Sequence, residues 1–296
     1  MDSELFKNRS VGSCLNDAFD LFRTNFKTLF RRLWIPAAVL SLLLATTMLL
    51  GFRQPSDPTT VDVAKTISIT IFNVLLDIAG FVWFYSIIIS LLNGKSVKVN
   101  LPRVTRLALL LLGVAILVTI VFIIAFTGNI MSVMNPAKAQ SASMKLLIGI
   151  VSFGIVLIVA CLPLFFSCIK YCIETDSKVW SIFKKPYVTG LRHWGYLFLT
   201  ALLTGIISTV LSCIISLPLY VILLCYLANI NGMAFGDPSG LSWVFSLLAF
   251  ITAALCAFVD LFVRPWLTFT FYYAYGSIEE KEKGKKKSKE LTLVEE

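Results

Sequence analysis

An acidic side chain interrupts the second apolar stretch of the sequence. Asp77 lies near the middle of residues 66–92, and Asn73 precedes it by one helical turn, so both lie on one face. A carboxylate inside hydrocarbon is costly and needs a reason. Two interpretations remain open: a buried polar site for a proton, a cation or a polar substrate group, or a protonated or hydrogen-bonded Asp that fixes helix packing.

A second acidic residue stands near the end of the last apolar stretch. Asp260 precedes Arg264 by four residues, and acid before base at this spacing is the favourable order on a helix. We therefore expect Asp260 and Arg264 to form a structural ion pair.

The soft and basic ligands that hold transition metals are sparse. Cys161, Cys168 and Cys172 fall on one helical stripe, but His193 is the single histidine of the chain. A zinc or iron site needs several such ligands converging from different elements. The sequence therefore predicts no metal and no cofactor, and it assigns the cysteine stripe to packing.

Motifs for nucleophilic or phosphoryl chemistry are missing from the sequence. It contains no Gly-x-Ser-x-Gly elbow, no Walker loop and no His-Glu-x-x-His. We expect no catalytic residue and a protein that is not an enzyme.

The composition indicates where these residues must lie. Hydrophobic residues make up 57% of the 296 and charged residues 15%, whereas soluble domains carry about 25% charge. Apolar runs of membrane-spanning length predict an all-α membrane protein with six spans, at residues 33–52, 66–92, 107–126, 146–169, 196–227 and 242–263. The fifth run is too long for one straight crossing, so either Pro218 kinks it or one end lies along the interface.

Charge bias predicts the orientation of these spans. Of the 26 Lys and Arg residues, 22 fall in segments on one side of the membrane and 4 on the other. Because positive loops stay in the cytoplasm, both termini are predicted to be cytoplasmic. The net charge of +9 then suits anionic lipid headgroups, and no nucleic-acid partner is expected.

The segment before the first span has two faces. Leucines and phenylalanines recur on one side at helical spacing, and the opposite side carries Arg23, Lys27, Arg31 and Arg32. This pattern predicts an amphipathic helix in the cytoplasmic interface that turns into the first span at Pro36, with the four basic residues on lipid headgroups. The alternative is a helix packed on a partner protein.

The chain therefore divides into an amphipathic N-terminal region (1–32), a six-span bundle (33–276) and a charged tail predicted to be disordered (277–296). Two later segments, 99–111 and 186–199, resemble the N-terminal one, because each is basic and leads into an odd-numbered span. Together they predict three parallel repeats of an interfacial segment followed by two spans.

Two segments carry a family resemblance. They are Ser-Cys-Leu-Asn-Asp-Ala-Phe-Asp-Leu-Phe-Arg-Thr-Asn-Phe-Lys-Thr-Leu-Phe from residue 13 and Trp-Ser-Ile-Phe-Lys-Lys-Pro-Tyr-Val-Thr-Gly-Leu-Arg-His-Trp from residue 180. They resemble bacterial six-span proteins that include YciC-like proteins and the membrane domain fused to some glycerophosphodiester phosphodiesterases. The resemblance implies a bacterial inner-membrane location. It brings no catalytic residues, and the phosphodiesterase barrel is absent from the sequence.

Two functions fit these features. The first is a non-enzymatic integral membrane protein that assists another membrane machine or organises lipid and envelope, with membrane lipids and another membrane protein as partners. The alternative is a small carrier or channel for a hydrophobic or weakly polar solute that uses Asp77.

Overall fold

The computed structural model describes residues 5–51, 63–133, 139–174, 176–236 and 241–295, and these ranges contain helices and no strands. The helices are α1 (Val11–Gly51), α2 (Val63–Asn93), α3 (Val97–Val133), α4 (Ala139–Ile173), a 3₁₀ turn (Val179–Phe183), α5 (Lys185–Arg192), α6 (Trp194–Ile215), α7 (Leu217–Ala234), α8 (Trp243–Leu261) and α9 (Val263–Glu295).

The predicted fold class is confirmed. Six stretches in the described part of the chain are long and apolar enough to cross a membrane: α1, α2, α3, α4, α6 and the α8–α9 stretch. The apolar helix α7 is shorter than these six. Leucine and isoleucine side chains remain exposed along α3, α4 and α6, as expected where lipid takes the place of a protein partner.

The first helix stays helical through the proline at which the sequence analysis placed a turn. α1 includes Pro36 within one helix of 41 residues, so the amphipathic segment is continuous with the first span, and its position in the interface stays a prediction. Leu33 and Ala37, on either side of the proline, are both fully buried. Tertiary packing on both sides of Pro36 therefore keeps the helix continuous despite the missing backbone donor.

The fifth apolar run does break, as predicted. α6 ends at Ile215 and α7 begins at Leu217, which places Pro218 in the first turn of α7. Proline is favoured there because its missing N–H has no intrahelical partner in any case.

The connections between spans are shorter than the predicted span bounds leave. The segment between the third and fourth predicted spans, residues 127–145, is largely helical, since α3 runs to Val133 and α4 begins at Ala139.

The C-terminal tail is also helical where disorder was predicted. α9 continues to Glu295, and Ser277 and Ile278 are fully buried. The reason is a contact far apart in sequence, because residues 5–10 cover this part of α9. The Arg9 backbone N–H donates to Ser277 Oγ at 3.0 Å, and that hydroxyl donates back to the Arg9 carbonyl at 3.2 Å.

A buried arginine completes this contact between the two ends of the chain. The Arg9 guanidinium donates to Asp17 at 2.7 Å and lies 4.7 Å from the centre of the Tyr273 ring. The backbone carbonyl of Leu5 lies so close to Gly276 that a Cβ there would overlap it. Gly276 is therefore the position on α9 at which the N-terminal segment can approach.

The core is built on α1. α1 packs on both α8 and α9. Its second half lies beside α8, its first half reaches the start of α9 at Phe262, and α2 packs along the second half from another side. The hairpin of α3 and α4 joins through α2 and α9, and α5 packs on α4. A Cβ placed on Gly190 of α5 would lie 3.0 Å from Pro163 of α4.

We predict that Gly276→Ala destabilises the protein by about 1–3 kcal/mol, because the added methyl overpacks a rigid backbone contact. Gly284→Ala on the same helix is the matched control, since a Cβ there meets nothing within 4 Å, and alanine favours the helix. Thermal unfolding in detergent measures both. Equal stability of the two variants would contradict the docking of residues 5–10 on α9.

Candidate functional site

The predicted pair of Asp77 and Asn73 faces α1. Thr47 Oγ1 donates to Asp77 Oδ2 at 2.8 Å, and Thr46 Oγ1 donates to Asn73 Oδ1 at 3.2 Å. Asp77 is buried, and its Oδ1 has no hydrogen-bond partner among the described residues. Two consecutive threonines on α1 thus bind two polar residues one turn apart on α2.

This polar contact lies in a tightly packed seam rather than in a cavity. A Cβ at Gly80, one turn after Asp77, would come within 2.9 Å of Leu40 on α1. Neither Asp77 nor Asn73 lines any of the cavities described below. The arrangement matches the packing interpretation of Asp77, since interhelical hydrogen bonds hold helix pairs together in membranes.

Asp260 and Arg264 form an ion pair at 2.6 Å across the break between α8 and α9. The other carboxylate oxygen of Asp260 accepts a short hydrogen bond from Ser212 near the end of α6. Asp260 therefore ties three helices together where α6 and α8 both end. It also borders a cavity of about 220 Å³ between α1, α7 and α8.

A larger cavity lies between α2, α3, α4 and α9. This groove has a volume of about 540 Å³, and its walls are almost wholly apolar. Its lining includes Phe81, Tyr85, Ala108, Leu111, Ala115 and Phe165. Leu111 and Phe165 are exposed, so the groove opens to the outside of the molecule.

Two of the three cysteines of the predicted stripe line this groove. Cys168 and Cys172 line its α4 wall, together with Ile169. Phe165, one turn earlier, stacks on Phe271 of α9 at 4.7 Å between ring centres. Sequence analysis assigned these residues to packing and missed the groove. The available signal was small side chains, Ala108 and Ala115, within a run of leucines.

A polar cavity of about 480 Å³ lies where α4, α5 and α9 meet. Lys170 pairs there with Glu279 at 2.6 Å and with Glu174 at 3.4 Å. Tyr275 donates to Glu174 at 3.1 Å. Sequence analysis missed this network because Glu279 belongs to the tail that was expected to be disordered.

The histidine has a structural partner as well. His193 Nε2 lies 2.9 Å from Glu282 Oε1, which joins the start of α6 to α9. Within the described residues, no group of three or more His, Cys, Asp and Glu side chains converges as a metal site would require.

The four basic residues predicted to meet lipid headgroups, Arg23, Lys27, Arg31 and Arg32, are all exposed along α1. The apolar side of the same segment packs within this chain. Leu29 is buried, and Phe30 stacks on Phe262 at 5.3 Å between ring centres. The basic side is thus left facing outward, whereas part of the apolar side is covered by the chain's own C-terminal helices.

Comparison with known protein families, with curated proteins and with solved structures gives no match. The resemblance to YciC-like proteins and to the phosphodiesterase membrane domain therefore stays a prediction.

We predict that Asp77→Asn leaves the free energy of unfolding unchanged within about 0.5 kcal/mol, since an amide oxygen still accepts the Thr47 hydrogen bond. Thr47→Val should cost about 0.6 kcal/mol, the usual value of such a bond between membrane helices. Thr119→Val is the control, because the Thr119 hydroxyl donates to the Ala115 carbonyl of its own helix. Equilibrium unfolding in mixed micelles measures all three. A much larger loss in Asp77→Asn than in Thr47→Val would show that the carboxylate itself is required.

Proposed function

We propose that this chain is a non-enzymatic integral membrane protein that binds membrane lipid and organises it, with an acyl chain held in the groove between α2, α3, α4 and α9. The groove carries this proposal. It is the largest of the cavities described, it is lined almost wholly by apolar groups, and it opens beside exposed leucines.

The chemistry of the groove suits a hydrocarbon chain. Thr268 and Tyr85 are the polar residue types in its lining, and the Thr268 hydroxyl already donates to the Arg264 carbonyl at 3.0 Å. A polar solute entering the groove would lose its hydration with few replacement hydrogen bonds. An apolar chain makes no hydrogen bonds with water, so it loses none on entering the groove.

The carrier alternative has less support. It relied on Asp77, which lies in the α1–α2 seam and does not reach the groove. A transport site would need polar groups that converge on a cavity near the centre of the membrane. The charge bias supports placing both termini in the cytoplasm, and the resemblance to bacterial six-span proteins supports the bacterial inner membrane.

The experiment compares lipid bound by groove-filling variants. Ala108→Trp and Ala115→Trp place a large ring in the groove, and Ala125→Trp places the same ring on the exposed side of α3 outside it. Each protein is purified in mild detergent from cells and its bound lipid is counted by native mass spectrometry.

We expect the two groove variants to retain about tenfold less lipid than the wild type, which corresponds to 1.4 kcal/mol of lost affinity, and Ala125→Trp to retain the wild-type amount. Ala115 is exposed at the groove, so its variant separates occlusion from a folding defect at Ala108. Equal lipid in all proteins would refute the groove as the binding site.

A further inference from the structure

Two helix breaks lie side by side in the bundle. α6 gives way to α7 at Ser216, and α8 gives way to α9 at Phe262. The hydrogen bond from Ser212, near the end of α6, to Asp260, near the end of α8, shows that the two breaks are adjacent. Phe30 of α1 stacks on Phe262, six residues before Pro36. Both breaks therefore lie at about the same level as Pro36, the proline within α1.

These breaks divide the helices into two layers. The basic layer contains residues 11–32 of α1, all of α6 and residues 263–288 of α9. The apolar layer contains residues 37–51 of α1, α7 and α8. In the basic layer, Tyr196 donates to the Arg9 carbonyl at 3.2 Å and His193 pairs with Glu282. In the apolar layer, α8 packs on both α1 and α7.

The two layers together are too long to lie within one bilayer. α1 alone, with 41 residues, is about 60 Å long at 1.5 Å per residue, whereas hydrocarbon is about 30 Å thick. α6 followed by α7 is equally long. Because residues in contact share the same depth, only one of the two layers can cross.

Charge decides which layer crosses. Residues 37–51 and α7 contain no charged residue. The single charged residue of α8 is Asp260, at the end of the helix. The basic layer exposes Arg23, Lys27, Arg31 and Arg32 on α1, and it includes the lysines of α9 from Lys281 onward. Charges of this kind stay out of hydrocarbon and favour an anionic surface.

We infer that α6 lies in the membrane surface, beside the first half of α1 and α9, and that α7 forms the fifth crossing in its place. At 18 residues, α7 falls within the usual range of a span. The number of spans stays at six. The inference also extends the third predicted interfacial segment, residues 186–199, to the end of α6.

The side chains of α6 suit this position. Thr200, Thr204 and Ser208 are buried against the protein, whereas Leu199, Leu203, Ile206 and Val210 are exposed. An in-plane helix places such an apolar face among the acyl chains of one leaflet. The partner of this surface is thus the leaflet on the side that carries the basic segments.

Depth measurements on the full chain test the inference. Nitroxide labels are attached to single cysteines in a variant without the seven native ones, reconstituted in liposomes of phosphatidylglycerol and phosphatidylethanolamine. The α6 positions are Leu199→Cys, Ile206→Cys and Ile214→Cys, and the matched α7 positions are Leu217→Cys, Leu224→Cys and Phe235→Cys. All six residues are exposed, so labels disturb packing little.

We expect the three α6 labels to report one shallow depth, and the α7 labels to report a maximum at Leu224 between two shallow ends. Relative collision rates with oxygen and with a nickel chelate give these depths. A maximum at Ile206 with shallow ends at Leu199 and Ile214 would overturn the inference.

A second measurement does not depend on depth calibration. A membrane-impermeant maleimide should label Leu217→Cys from the side that carries the basic segments and Phe235→Cys from the opposite side. Labelling of both cysteines from one side would show that α6 crosses. Neither experiment involves the groove, so the result is independent of lipid binding there.

Discussion

The antiparallel packing of α1 against α8 and α9 is the contact on which the other elements depend. It runs from the second half of α1 on α8 to the docking of residues 5–10 on α9. α2 binds one side of this pair through Thr47 and Asp77, and α6 binds the other through Tyr196 and Ser212. In lipid, the burial of apolar surface contributes little to the association of helices, so close packing and hydrogen bonds must stabilise the bundle. Gly276 stands where two backbones come close together, and Gly80 stands where the side chain of Leu40 packs on α2.

Polar residues in this bundle mostly form contacts that connect one helix to another. Asp260 joins α6, α8 and α9, Lys170 joins α4 to α9, and His193 joins α6 to α9. Each of these three residues has an ionisable partner of the opposite type within 2.9 Å, as the high cost of an unpaired charge favours. The groove differs from these polar contacts because its lining contains almost no hydrogen-bonding groups. That contrast supports an acyl chain as its occupant and leaves Asp77 with a role in packing.

Long helices also create a conflict with the thickness of the bilayer. α1 is about twice as long as the hydrocarbon is thick, and its neighbours follow it closely. A protein of this shape must leave part of its helical bundle at the membrane surface. The exposed arginines and lysine of α1 suit that surface, where charged groups meet anionic headgroups.

The sequence by itself determined the class of the fold, most of the spans and the break near Pro218, because apolar run length and proline act locally. It also placed Asp260 beside Arg264, since four residues on a helix fix that distance. Only the tertiary structure decided that α1 stays helical through Pro36, that the tail is helical and that a groove opens beside Ala108. Each of these depends on contacts between residues far apart in the chain, such as Arg9 with Ser277. Local pattern carries no information about such contacts, because the free energy that decides them comes from the partner segment.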